Sequence, residues 1–149
     1  MKRLHVHLKV EDLDRSIGFY SALFGAEPTK REPDYAKWML DEPSANISIS
    51  TRRAGEFGVD HVGVQVDSDA ELETIAGRLA GSNASLVKEG ETTCCYAQSN
   101  KYWATSPDGA IWELFHTHGD APTYFGDRPL SGAKHAPAAR LGAPCCGMT

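Results

Sequence analysis

The feature that most constrains the fold of this 149-residue chain is that its sequence is written twice. His5-Val6-x-Leu8-x-Val10 lies over His61-Val62-x-Val64-x-Val66 at an offset of 56 residues. At the same offset Leu23-Phe24-Gly25 meets Leu79-Ala80-Gly81, and one residue later Lys30-Arg31-Glu32 lies over Val87-Lys88-Glu89. Farther on, residues 41–49 lie over 105–113 at an offset of 64. Identity is low, but the order of landmarks is shared, which is how a duplicated unit reads.

Each half predicts a strand, a helix and three further strands. His5 to Val10 alternates apolar and polar positions, the period of a half-buried strand. Asp12 is placed to cap a helix in which Leu13, Ile17, Tyr20, Leu23 and Phe24 recur at helical spacing, and Gly25 stops it. Strands are expected near Thr29–Arg31, Ala36–Leu40 and Asn46–Ser50, then a linker over Thr51–Gly58. The second half repeats the plan, with strands near His61–Val66, Leu86–Glu89, Tyr102–Thr105 and Ile111–His116, and a helix over about Asp69–Ala80. Ser106-Pro107-Asp108-Gly109 suits a type I turn before the last strand. The expected fold is α+β: two βαβββ modules, about 1–51 and 59–118, forming a curved mixed sheet around a metal pocket. Residues 119–149, rich in Gly, Ala and Pro without periodicity, read as a flexible tail carrying Cys145 and Cys146.

His5 and His61 open equivalent strands, and Glu113 lies on the last strand of the second module. If the modules pack about a pseudo-twofold, these side chains can converge. Two imidazoles and one carboxylate form the facial triad of non-haem Fe(II) enzymes. The offset of 64 puts Ile49 opposite Glu113 in the first module, so no second carboxylate is expected and the site should be open, as catalytic sites are. Any one of the three residues taken alone is more often a plain core or surface residue; their matched placement in the repeat favours the metal. His7, two residues on and on the same strand face, is the substitute ligand.

The four cysteines form two adjacent pairs, Cys94-Cys95 and Cys145-Cys146. Neighbouring α-carbons about 3.8 Å apart are too close for an ordinary disulfide. Free thiol pairs fit a reducing compartment, and two such thiols can pinch one thiophilic atom. A formal net charge of −5, with no basic cluster, gives no footprint for nucleic acid. No apolar run approaches the roughly 18 residues of a membrane span, and Met1–Asp14 does not read as a signal peptide. A cytoplasmic location is expected.

HVHLKVEDLDRSIGFYSALFG, DHVGVQV and SPDGAIWELF resemble the vicinal oxygen chelate superfamily of glyoxalases, extradiol dioxygenases and drug-resistance proteins, over about residues 3–117. Within it, GETTCCYAQSNKYW at 90–103 with a terminal Cys-Cys is similar to the organoarsenical carbon–arsenic lyases and cadmium-induced proteins. The resemblance implies an Fe(II)-dependent dioxygenase that takes a trivalent organoarsenical, methyl or aromatic, and dioxygen, and releases arsenite. His5, His61 and Glu113 would hold the metal. Cys94 and Cys95 would bind arsenic, with Lys101 as charge partner to the dithiol and Tyr102 and Trp103 as pocket walls; a solvated turn lysine and ordinary core aromatics are the plainer alternatives. Some lyases of the family carry Gln at the first ligand position. A full triad would also accept Zn, Ni, Mn or Co. A homodimer is expected from the superfamily's habit. The competing readings are a glyoxalase- or thiol-transferase-like metalloenzyme and a cadmium- or arsenite-sequestering protein without turnover.

Overall fold

Alternation and helical spacing resolve, in a computed structural model describing residues 1–52 and 56–125, into β1 (Arg3–Lys9), α1 (Leu13–Phe24), β2 (Lys30–Glu32), β3 (Tyr35–Asp41), β4 (Ser44–Ser50), β5 (Gly58–Val66), α2 (Asp69–Gly81), β6 (Ser85–Cys94), β7 (Ala97–Thr105) and β8 (Ile111–Asp120). Asp12 caps α1 by accepting from the Arg15 N–H at 2.9 Å, and Gly25 ends it in the left-handed conformation at φ 64°. Ser68 caps α2 in the same way, accepting from the Glu71 N–H.

The eight strands form one mixed sheet in the order β2-β3-β4-β1-β5-β8-β7-β6. At its centre β1 and β5 run antiparallel with Val6 opposite Val62, so His7 faces His61 and His5 faces Gly63. On either side β1–β4 and β5–β8 pair in parallel. The two halves are thus related by a pseudo-twofold through the Val6–Val62 pair. This register corrects the counterpart of Glu113. Gly63 pairs with Glu113 and its equivalent, His7, pairs with Ser48, so Ser48 rather than Ile49 matches Glu113. Ile49 instead faces the outer side and is fully buried beneath α1. The loop lengths differ by one residue more than the sequence offset suggested, and a one-residue slip changes face.

Each helix covers the outer face of its own half. Leu13 and Ile17 of α1 pack on Ala36, Trp38 and Ile49, with the Trp38 indole donating to the Ala26 carbonyl at 3.0 Å. Leu72 and Ala76 of α2 pack on Val66, Tyr102 and Leu114. The inner face is different in kind. The buried polar side chains His5, His7, Lys9, Asn46, Ser48, Ser50, His61, Ser99, Lys101 and Glu113 all come from strands that line it. Burying such groups is costly unless they are satisfied, so this concentration marks the inner face as a candidate functional site and not a packing surface.

Two further expectations change. The hairpin β6–β7 is longer than its apolar pattern suggested, because Ser99 and Lys101 face the polar interior and break the alternation. The fold also continues past residue 118: β8 reaches Asp120, and Tyr124 is buried against Tyr35 and Tyr96, ring to ring. The reading of a tail is thereby corrected for 119–125. Cys145 and Cys146 lie outside the described residues. Among the described residues no helix is long and apolar enough to cross a membrane.

Candidate metal centre and dithiol

Strand pairing brings His5, His61 and Glu113 together in the middle of the inner face. His5 Nε2 lies 3.3 Å from His61 Nε2 and 3.5 Å from Glu113 Oε2, and His61 Nε2 lies 3.3 Å from that same oxygen. All three come from one chain, so the cluster needs no second copy. Gly63 permits the approach: a Cβ there would meet the Glu113 backbone oxygen at 2.3 Å. His7 belongs to the same group, with His5, His7 and His61 ligand atoms all within 4.8 Å of one another. Its nitrogens, however, are engaged by Ser50 Oγ at 2.8 Å and Ser48 Oγ at 3.2 Å.

The outer nitrogens decide what the cluster can hold. His5 Nδ1 donates to the Asn46 carbonyl at 3.0 Å, and His61 Nδ1 donates to Asp60 Oδ2 at 2.8 Å. Both acceptors hold a proton on Nδ1, so in the neutral form that a metal takes, each ring turns an Nε2 lone pair inward. Two nitrogen lone pairs and a carboxylate oxygen then converge. Three atoms at these separations can each lie about 2.0–2.2 Å from one ion, the usual bond length for such ligands. The residues fit a divalent cation.

Glu113 divides its two oxygens. Oε1 accepts from Lys101 Nζ at 2.6 Å, leaving Oε2 to the imidazoles. Burial alone would push this carboxyl up, but the Lys101 ammonium, with His61 and His5, holds it far below the ordinary carboxylate range. Lys101 therefore serves Glu113, a correction to its expected place at the dithiol. Cys94 pairs with Ala97 at the hairpin turn, so Lys101 lies four strand residues, about 13 Å, along β7. Tyr102 is likewise corrected. It points the other way, into the core under α2 with its hydroxyl on Glu73 at 2.8 Å, because neighbouring strand residues alternate faces. Trp103 does line the inner face, its ring 5.5 Å from that of His61.

Replacing Lys101 by Met should strand the Glu113 carboxylate among apolar and imidazole groups. We expect the metal-free protein to lose about 3–5 kcal/mol, read from urea unfolding, with added divalent metal restoring part of it.

Asp60 was not singled out from the sequence. A bulge where β1 meets β5 leaves Asp60 out of the ladder, between Val59 opposite Leu8 and His61 opposite His7, and such bulges re-aim side chains beside functional sites. Asp60 also takes an ion pair from Lys9 Nζ at 3.2 Å. Its signal was present in the Asp-His pair of DHVGV. Asp60→Asn should weaken metal affinity by about 10–100-fold, measured by competition with a chromogenic chelator.

The cysteines occupy the β6–β7 turn. Cys95 and Tyr96 both adopt left-handed backbone, φ 57° and 59°, the pattern of a two-residue type I′ hairpin turn that usually recruits Asn or Gly. Holding two such residues there costs conformational energy. The result places Cys94 Sγ 3.2 Å from Cys95 Sγ. The Cys95 thiol donates to the Tyr124 hydroxyl at 3.5 Å. Burial pushes the Lys37 ammonium down and Lys30 does the same, while Asp120 and Cys95 act in the opposite sense.

Residues 121–125 run alongside the turn. The Ala121 N–H donates to the Tyr96 carbonyl, and Phe125 bridges to Cys94. Across the sheet opening, Lys30 donates to the same Tyr96 carbonyl at 2.7 Å and to Asp120 at 2.8 Å, and Arg52 stacks on Tyr124 at 4.6 Å. Tyr35 packs with Cys94 and lies 6.2 Å, ring to ring, from His7, whose ring is 5.1 Å from His61. A chain of ring contacts thus connects the dithiol to the histidine cluster. Tyr35, Tyr96 and Tyr124 carried no signal in the sequence beyond being aromatic.

Residues 2–114 match the model of the glyoxalase/bleomycin resistance protein/dioxygenase superfamily. A trivalent organoarsenical cleaving enzyme from Bacillus sp. (strain MD1) is 46% identical over 119 residues, 78% of this chain and 74% of the relative. A cadmium-induced protein from Mycobacterium tuberculosis is 36% identical over 129 residues, 87% and 84% of the two chains. Among solved structures, the Mn(II)-bound glyoxalase from Novosphingobium aromaticivorans is similar with a TM-score of 0.56 at 20% identity, over 81% of this chain and 42% of that one. This last likeness is one of fold.

Proposed function

This chain belongs to the glyoxalase/bleomycin resistance protein/dioxygenase superfamily and, within it, to the family of trivalent organoarsenical cleaving enzymes and cadmium-induced proteins; from that membership we propose that it is an Fe(II)-dependent enzyme that cleaves the carbon–arsenic bond of trivalent organoarsenicals and releases arsenite. The observation that carries this reading is the occurrence, in one chain, of the His5–His61–Glu113 cluster and a dithiol whose sulfurs lie 3.2 Å apart.

His5, His61 and Glu113 would hold the iron, Asn46 and Asp60 fixing the imidazoles and Lys101 fixing the carboxylate. Such a three-ligand site leaves positions for substrate and dioxygen, and the bound Fe(II) supplies the one-electron chemistry that dioxygen requires. Ser48 stands where a second carboxylate would close the site, and its hydroxyl is engaged with His7. Cys94 and Cys95 would exchange with the oxygen ligands of the arsenic, releasing water, and present its carbon substituent to the inner face. The Tyr124 hydroxyl, which accepts from the Cys95 thiol, would position that sulfur as this occurs. For a methyl substrate one dioxygen balances the reaction: arsenic stays trivalent, and the methyl carbon leaves as formaldehyde.

The direct test is anaerobic reconstitution with Fe(II), addition of trivalent methylarsenical, and admission of oxygen. We expect arsenite and formaldehyde in equal amounts over many turnovers, none of it without iron. Tight arsenic binding with no released arsenite would favour the sequestering reading that the cadmium-induced relatives suggest.

A further inference from the structure

A second group of metal-ligating side chains lies on the other side of the sheet. His116 and His118 stand two residues apart on β8, the second at a bulge between Thr117 and Gly119, and their rings lie 4.6 Å apart, both within reach of Asp69 on one face. That face is turned away from the triad: Glu113 and Phe115 are directed to His5, whereas Leu114 packs under α2. Asp69, in the first turn of α2, completes the group. His116 Nδ1 lies 3.0 Å from Asp69 Oδ1 and His118 Nε2 lies 3.7 Å from it. The Asn100 amide donates to the same oxygen at 3.0 Å.

We propose that Asp69, His116 and His118 form a second divalent-metal site, suited to borderline cations such as Zn(II), Ni(II) and Co(II).

Three ligand atoms from two elements all lie within 4.8 Å of one another. Tetrahedral coordination with bonds of about 2.0–2.1 Å separates ligand atoms by about 3.3 Å, and the 3.0 and 3.7 Å distances fall on either side of that value. Closing on an ion needs only small ring rotations. Two imidazoles with one carboxylate select borderline cations over Mg(II) and Ca(II), which prefer all-oxygen shells. The side chains are 50%, 20% and 34% exposed for Asp69, His116 and His118, so an ion can enter from solvent and water can fill the fourth position. The site uses none of the groups of the triad or the dithiol.

The test counts Zn(II) bound to the metal-free full chain at buffered micromolar free Zn(II), by elemental analysis after equilibrium dialysis. Thiols and triad contribute equally to the unmodified chain, the His116/His118 double variant and Asp69→Asn, so differences among these three isolate the new site, while His61→Ala removes the triad's share alone. The variant with both His116→Ala and His118→Ala should bind one equivalent fewer than the unmodified chain. Asp69→Asn, which keeps a hydrogen-bonding oxygen, should lose the same equivalent, and His61→Ala should retain it. All are checked by circular dichroism for an intact fold. Equal stoichiometry in the unmodified chain and the double variant overturns the proposal, as does full retention in folded Asp69→Asn.

Discussion

His61→Ala is expected to leave the protein folded and unable to retain its metal, with carbon–arsenic cleavage falling by at least about three orders of magnitude, the scale of losing a whole catalytic group. His61 touches both other members of the cluster through one nitrogen, at 3.3 Å each, while its second nitrogen is fixed by Asp60. Removing the ring deletes one ligand and leaves the Asp60 carboxylate with one fewer donor. Metal content after desalting, set beside turnover in excess iron, is the relevant pair of measurements. Full metal occupancy in the variant would remove His61 from the centre. Making His61→Ala in the background of the His116→Ala and His118→Ala double variant removes any iron held at that second group from the count.

Cys94→Ser is the second large effect, and it should divide the two halves of the mechanism. Arsenic held by two sulfurs is chelated, and the second bond forms at the high effective concentration of a tethered group. One thiol fewer should therefore weaken binding of trivalent arsenic by about a hundredfold or more, with iron content unchanged. Cys95→Ser should do the same, with the added loss of the Tyr124 contact. Quenching of intrinsic fluorescence on arsenic binding, from Trp103 and the tyrosines around Cys94, reads both variants. Unchanged affinity would break the assigned role of the pair.

Much of this could be read from the sequence because it was carried by periodicity. The His5 and His61 strands, the Asp12 and Gly25 signals and the duplicated order of elements all follow from local rules, and each appears in the structure at or near its expected place. What failed depended on register and on tertiary closure. The offset of 64 sets Ile49 opposite Glu113 because an offset between two sequences cannot reveal which loops gained a residue, and one residue decides which side of a sheet a side chain occupies. Lys101 was assigned to the cysteines by sequence proximity, yet a hairpin turn carries nearby residues apart at 3.3 Å per step. Tyr102 looked like its neighbour Trp103 and faces the opposite way. Tyr124 fell in a segment without any period, since what holds it is the aromatic group formed by Tyr35 and Tyr96 from distant parts of the chain.

The polar interior has a consequence for cooperativity. Two apolar clusters lie under separate helices, one in each half; the halves meet at the β1–β5 ladder, with polar side chains along its inner side, and at the aromatic group of Tyr35, Tyr96 and Tyr124 across the sheet opening. His5 comes from one half and His61 and Glu113 from the other, so an ion bound by all three acts as a rivet across that seam. Metal loading then becomes a determinant of whether the halves melt as one body. An ion at a hundredfold excess over its dissociation constant adds about 2.7 kcal/mol to the folded state. Calorimetry of the metal-free protein should show a lower and broader transition than the loaded one, and stripping the metal should loosen the β1–β5 seam while the Tyr35–Tyr96–Tyr124 contact still joins the halves.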